Sequence, residues 1–285
     1  MLACLGDLVE DIVVRIDGPI SVASDTPASI DRRRGGSAAN TAAAAADRDH
    51  PARMLGQVGE DAIGTALLAD LAADGVDVSH VRRGGATGTV VALVDAAGER
   101  SMLTDRRSCV ELSDPDHAWL DDVTALHVPF YSLARGPIAA TATTVIGWAH
   151  DRGVPVSIDV SSTAVMREVG VDEVLRRLEA LRPDLLLAND DEAHLLGIDG
   201  AVAGAVTIVK RGPAPATVYV PEGAPTEVPA TSLDGPVDTT GAGDAFTAGV
   251  LTTPRWEHDP IAACVGGHES AAAVLRSRAA LRTRR

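Results

Sequence analysis

Thirteen residues, Val237 to Gly249, read V-D-T-T-G-A-G-D-A-F-T-A-G and combine the residue types that phosphate chemistry uses. Small residues run from Thr239 to Gly243, Asp244 follows, and an apolar pattern (Ala245, Phe246, Ala248, Val250, Leu251) continues to Pro254. This predicts a glycine turn feeding a helix N-terminus, where the first N–H groups have no internal partners and the aligned peptide dipoles favour an anion. Gly241, Ala242 and Gly243 would let the backbone approach a phosphate, with the N–H groups of 241–244 as an anion hole. An acid at the mouth of such a hole is repelled by the phosphate. It has a use there if it takes the proton of a hydroxyl that attacks phosphorus. Asp is also a preferred helix cap, and spacing alone leaves both readings open.

Three further stretches carry groups of similar promise. Asp11 follows Gly6-Asp7, where a short apolar run ends. A carboxylate there can accept two hydroxyl hydrogen bonds from a polyol, or can be a solvated loop acid. Gly35-Gly36-Ser37-Ala38-Ala39-Asn40 leads into an alanine run, a helix by propensity with Ser37 as a candidate cap and Asn40 one turn in. Asn189-Asp190-Asp191-Glu192 can hold a hydrated cation or simply cap a helix with acids in its first turn. Arg106, in a polar stretch after a strand, could pair with an anionic substrate group or lie at a solvated edge.

The elements that must position these groups alternate. Strands are expected over 1–5, 53–58, 125–128, 154–160, 184–188 and 205–210, with helices near 136–151 and 171–181, and a C-terminal helix over about 259–278. Alternation implies a parallel, doubly wound sheet, whose ligands gather beyond the carboxyl ends of the strands. Asp159 and Asn189 fall there. The segments 12–16, 89–95 and 100–103 read as a separate small sheet. Gly56 to Gly64 is assigned no chemistry, and His268-Glu269 reads as surface or core packing.

Composition narrows the classes. The 285 residues carry a net charge of -15, which argues against nucleic acid and acidic membranes. Aromatic content is 2%, so Ala, Val, Leu and Ile must build the core. Lys210 is the sole lysine, so a nucleotide site must rely on helix N-termini, arginines and bound cations. Cys4, Cys109 and Cys264 are far apart and odd in number, which points to buried thiols in a reducing compartment. No apolar segment is long enough to span a membrane, and a cytoplasmic protein is expected. Neither G-x-x-x-x-G-K-[ST] nor a dinucleotide fingerprint occurs.

D-T-T-G-A-G-D-A-F, from Asp238 to Phe246, closely resembles the C-terminal signature of the ribokinase-like (PfkB) family of carbohydrate kinases. The Gly35-Gly36 to Asn40 stretch resembles the family's G-G-x-x-x-N, and Asn189 to Glu192 its N-x-x-E. The resemblance covers nearly the whole chain. It implies a three-layer α/β/α fold with a mostly parallel sheet, the core made of 1–11, 31–86 and 108–285, and a small β lid of 12–30 and 87–107. It implies Mg²⁺ and ATP-dependent phosphorylation of a hydroxyl on a small sugar or sugar acid, with Asp244 as base and the 241–244 turn as anion hole. Asp11, Gly35, Gly36, Asn40 and Arg106 would bind substrate. Asn189, Lys210, Gly212, Gly241 and Gly243 would bind nucleotide, and Glu192 would reach Mg²⁺ through water. Asp238 and Thr240 would hold a monovalent cation such as K⁺. A homodimer through the lid is expected. Two departures, Ser161 in place of an Asn and Pro215 in place of a Gly, bear on nucleotide binding. A nucleoside kinase and a non-catalytic nucleotide or sugar sensor are the competing readings.

Overall fold

The computed structural model describes residues 1–233 and 239–282. The chain starts as β1 (Leu2–Leu5), fully buried, and at Gly6-Asp7 leaves the main layer. It runs out as β2 (Val9–Arg15), returns antiparallel as β3 (Ser29–Gly35) and enters α1 (Ser37–Ala46). β4 (Ala52–Leu55) rejoins the main layer, followed by β5 (Gln57–Val58), α2 (Ala62–Ala73) and β6 (Arg82–Arg83). Next, β7 (Thr89–Val94) and β8 (Arg100–Asp105) complete a four-stranded small sheet in the order β3-β2-β7-β8.

The remainder alternates as the pattern predicts: β9 (Ala125–Pro129), α3 (Tyr131–Ala134), α4 (Gly136–Asp151), β10 (Val156–Asp159), α5 (Thr163–Val169) and α6 (Val171–Leu181). Then come β11 (Leu185–Asn189), α7 (Asp190–Leu196), β12 (Val206–Lys210), the antiparallel pair β13 (Ala216–Tyr219) and β14 (Thr226–Val228), α8 (Ala242–Thr252) and α9 (Pro260–Arg282). The main sheet has eight strands in the order β14-β13-β12-β11-β10-β9-β1-β4, parallel from β4 to β12. Alternate strand residues feed two cores. Leu126, Ile158 and Leu186 pack with α4 to α7, whereas Cys4, Leu185 and Ile208 pack with α1, α2, α8 and α9. Helices therefore cover both faces, the condition for a parallel sheet.

Two parts of this differ from the sequence expectation. β3 contains Arg32, Arg33 and Arg34 and has no strand-like apolar run. Its charges are paired instead: Asp31 with Arg15 at 2.6 Å, Arg32 with Glu10 at 3.1 Å, and Arg34 with Asp70 and Asp74 of α2 at 2.8 and 2.7 Å. A charged edge strand of this kind resists pairing with another chain. The β13–β14 hairpin was also unforeseen, because both strands are short and lie among Gly and Pro residues. Cys4, Cys109 and Cys264 are buried free thiols. Among the described residues no helix is long and apolar enough to cross a membrane.

Candidate functional site

Asp244 sits in the first turn of α8, whose N-cap Gly241 adopts a left-handed conformation with φ of 74°. The Ala242 N–H closes onto the Thr239 carbonyl at 3.1 Å, and that of Ala245 onto Gly241 at 2.9 Å. The Gly241, Gly243 and Asp244 N–H groups have no backbone acceptor among the described residues, so of the four groups expected in the anion hole Ala242 is the one engaged within the turn. The Asp244 side chain does not cap its own helix. It reaches across to α1, where Ser37 Oγ donates to one oxygen at 2.7 Å and Asn40 Nδ2 to the other at 2.9 Å. Ser37 is therefore not the helix cap the sequence suggested. That position belongs to Gly36, whose φ is 100° and where an added Cβ would lie 2.1 Å from the Asp7 carbonyl oxygen. Burial pushes the Asp244 carboxyl above its ordinary range, although the Ser37 and Asn40 bonds pull the other way.

A cleft of about 1030 Å³ runs past this residue and joins two groups of side chains. At one end are Asp159, Asn189, Glu192, Lys210, Arg211 and Gly212, from the carboxyl ends of β10, β11 and β12. Lys210 Nζ lies 2.5 Å from Asp159 Oδ2. Burial opposes the ammonium charge, but the carboxylates of Asp159, Glu192 and Asp244 outweigh it and raise the Lys210 pKa. Asn189 and Glu192 form a reciprocal capping box on α7, with bonds of 2.9 and 2.8 Å, so the capping reading of this motif is realised. Burial, with the nearby Asp159 charge, pushes the Glu192 carboxyl up to about 7. Gly212 turns the chain at φ 57°. Ser161 takes a left-handed φ of 66° and gives its N–H to Asp159 at 2.9 Å.

At the other end the small sheet supplies Val9, Asp11, Val90, Met102 and Thr104, all on its cleft face. Asp11 belongs to β2 and is not in a loop; Gly35 of β3 pairs with Val9, two residues away on the same face, and a Cβ there would come within 2.3 Å of the Asp11 carboxylate. Arg33 stands 3.8 Å from Asp11. Arg106 is already engaged: Nε and Nη2 fork onto Asp7 at 2.6 and 2.5 Å, and Nη1 reaches the Tyr131 carbonyl at 2.9 Å. Of the two residues expected at a monovalent cation, Asp238 lies outside the described residues, and the Thr240 hydroxyl accepts a hydrogen bond from Arg100.

Three residues of this site were passed over in the sequence. Asp7 anchors Arg106, and its signal was a Gly-Asp pair directly after a buried strand. Ser37 binds Asp244, which only the packing of α1 against α8 reveals. His268 of α9, read as packing, lines the cleft beside Phe246 and stacks edge-on to that ring at 5.1 Å. No group of three or more His, Cys, Asp or Glu side chains among the described residues could hold a metal ion unaided.

A family model described as pfkB family carbohydrate kinase matches residues 1–283. An ATP-dependent ribose-1-phosphate kinase from Halopiger xanaduensis is 35% identical over 257 residues, covering 85% of this chain and 81% of that protein. A fructokinase from Klebsiella pneumoniae is 30% identical over 235 residues, covering 76% and 75%. Among solved structures, a sugar kinase from Pyrococcus horikoshii in complex with ATP superposes with a TM-score of 0.82 at 23% identity, covering 97% of this chain and 92% of that one. Adenosine kinase from Sinorhizobium meliloti superposes with a TM-score of 0.81 at 25% identity, covering 96% and 93%.

Proposed function

We propose, on the premise that this chain belongs to the pfkB family of carbohydrate kinases, that its cleft transfers the terminal phosphoryl group of ATP to a hydroxyl of a small sugar or sugar acid. The observation that carries this reading is the setting of Asp244. It is oriented by Ser37 and Asn40, stands beside N–H groups that have no backbone acceptor among the described residues, and lines the same cleft as Asp11 of the small sheet and Lys210. In that position it can take the proton of a bound hydroxyl while the N–H groups of Gly243 and Asp244 hold the phosphoryl group. Asp11 offers two acceptor oxygens to sugar hydroxyls, and the small sheet forms a lid that excludes water, the competing acceptor. Asn40 orients Asp244 with one N–H, which leaves its second N–H and its Oδ1 for a substrate hydroxyl.

The nucleotide end fits Mg²⁺ held mainly by ATP's own oxygens. Glu192 and Asp159 bring excess negative charge, and no protein cage of three ligands is present among the described residues. Such an ion would neutralise charge on the phosphates. Arg100 already brings a positive charge to Thr240, which weakens the case for K⁺ there. A homodimer through the lid is supported by Ile30 and Leu103, which stand exposed on the outer face of the small sheet. The named activities of the Halopiger and Klebsiella relatives support a five- or six-carbon sugar. The fold shared with adenosine kinase keeps a nucleoside as the second reading.

The test is ADP release from Mg-ATP with ribose, ribose-1-phosphate, fructose, sugar acids and adenosine as acceptors. Turnover with a sugar or sugar acid and not with adenosine is expected. Turnover with adenosine alone would replace the reading by the nucleoside kinase, and nucleotide binding without any turnover would favour a sensor.

A further inference from the structure

The ammonium group of Lys210 lies against the turn that begins α8. A Cβ added at Gly243 would lie 3.7 Å from Nζ, so this cation is within reach of an anion seated on the turn. An ammonium has three donors, and among the described residues Lys210 has one acceptor, Asp159 Oδ2 at 2.5 Å. Asp159 is itself held: its other oxygen accepts the Ser161 N–H at 2.9 Å, and Thr247 Oγ1 stands 3.5 Å from the oxygen that Lys210 uses. The side chain is 14% exposed and opens on the cleft.

Building on the kinase reading, we propose that Lys210 is a catalytic residue that grips the transferred phosphoryl group, with Asp159 as the positioning residue that aims it. The phosphate nearest Asp244 must be the one attacked, because the acceptor hydroxyl loses its proton there. As the acceptor oxygen bonds to the γ-phosphorus, its proton passes to Asp244. The bond from that phosphorus to the β,γ-bridging oxygen breaks, and ADP leaves with the electron pair. Charge on the outer oxygens of the transferring group is then met by two N–H groups and two free ammonium donors. The carboxylates of Asp159, Glu192 and Asp244 keep Lys210 charged throughout, so it serves as a fixed cation and never as a base.

The experiment compares wild type with Lys210→Met, Lys210→Arg, Asp159→Asn and the double variant Lys210→Met/Asp159→Asn. The double variant removes the carboxylate bonded directly to Lys210 along with the ammonium, and so keeps the test open if Lys210→Met fails to fold. Calorimetry measures binding of the non-hydrolysable β,γ-imido analogue of ATP and of ADP, and steady-state kinetics gives kcat and KM. Loss of Lys210 should lower kcat about 10²- to 10³-fold and weaken the analogue by about tenfold or more, with ADP little changed. Asp159→Asn should lower kcat less than loss of Lys210 does, with KM for ATP little moved. Equal weakening of the analogue and ADP would place Lys210 on the inner phosphates and overturn this assignment alone. Unchanged binding and kcat in a folded variant would also overturn it. Because the binding comparison needs no acceptor, it decides the matter even if no sugar tried is turned over. A wild type that binds neither nucleotide would bring down this assignment and the kinase reading together.

Discussion

The two ends of the cleft handle charge differently. On the lid side the charges are set against one another within the protein: Arg106 forks onto Asp7, and Arg33 stands near Asp11. On the nucleotide side one ammonium serves Asp159 and faces Glu192 and Asp244 as well, and burial leaves Glu192 half titrated near neutrality. On the proposed reading, the lid end would recognise its ligand by hydrogen-bond geometry, while the other end would be completed by a polyanion together with its cation. A buried charge is tolerated only when paired, so whichever end carries an imbalance is the end that awaits an ionic ligand.

The comparison can be broken most severely at Asp244, where the two ends meet. Asp244→Asn should lower kcat about 10²- to 10⁴-fold, with ATP affinity nearly unchanged, as initial rates and nucleotide titration would show. Wild-type activity in this variant would remove the general base from the mechanism. Next in size is Gly35→Ala. The added methyl must displace the Asp11 carboxylate, so kcat/KM for the sugar should fall about 10- to 100-fold while KM for ATP holds. An equal effect on both substrates would show that the ends are not independent.

The smallest expected effect concerns pH. The Glu192 carboxyl titrates near 7 in the folded chain against an ordinary 4.5, burial and then Asp159 being the causes. Folded protein thus keeps a proton that the unfolded chain has lost. The contribution of this proton to stability is complete below pH 4.5 and is lost as pH rises through about 7. Glu192→Gln should therefore flatten the fall of melting temperature across that window in ligand-free protein. An unaltered slope would assign the titration elsewhere.

Much of the scaffold was legible because its signals are local. The apolar runs that became β9 to β12 could be read directly, and so could the helices between them that became α4 and α6 and the glycine turn before α8. β3 was not, since three successive arginines say nothing of an edge strand until their partners on β2 and α2 are known. Asp11 and Arg106 were both marked as substrate contacts, yet their surroundings differ: Asp11 lies on the cleft face of β2, whereas Arg106 is spent on Asp7. Nothing in the residue types separates the two cases.

The sequence by itself determined the chemistry at hand: an acid after a glycine turn, a lone lysine at a strand end, a capping box beyond another strand, and the α/β alternation that gathers them. Only the tertiary structure decided which groups meet. Ser37 and Asn40 reach Asp244 across 207 and 204 residues, Arg106 reaches Asp7 across 99, and Lys210 reaches Asp159 across 51. Propensity and periodicity act over a few residues. Such pairings depend instead on the order of strands in the sheet, which brings Lys210 to Asp159, and on α1 packing against α8, which brings Ser37 and Asn40 to the buried Asp244.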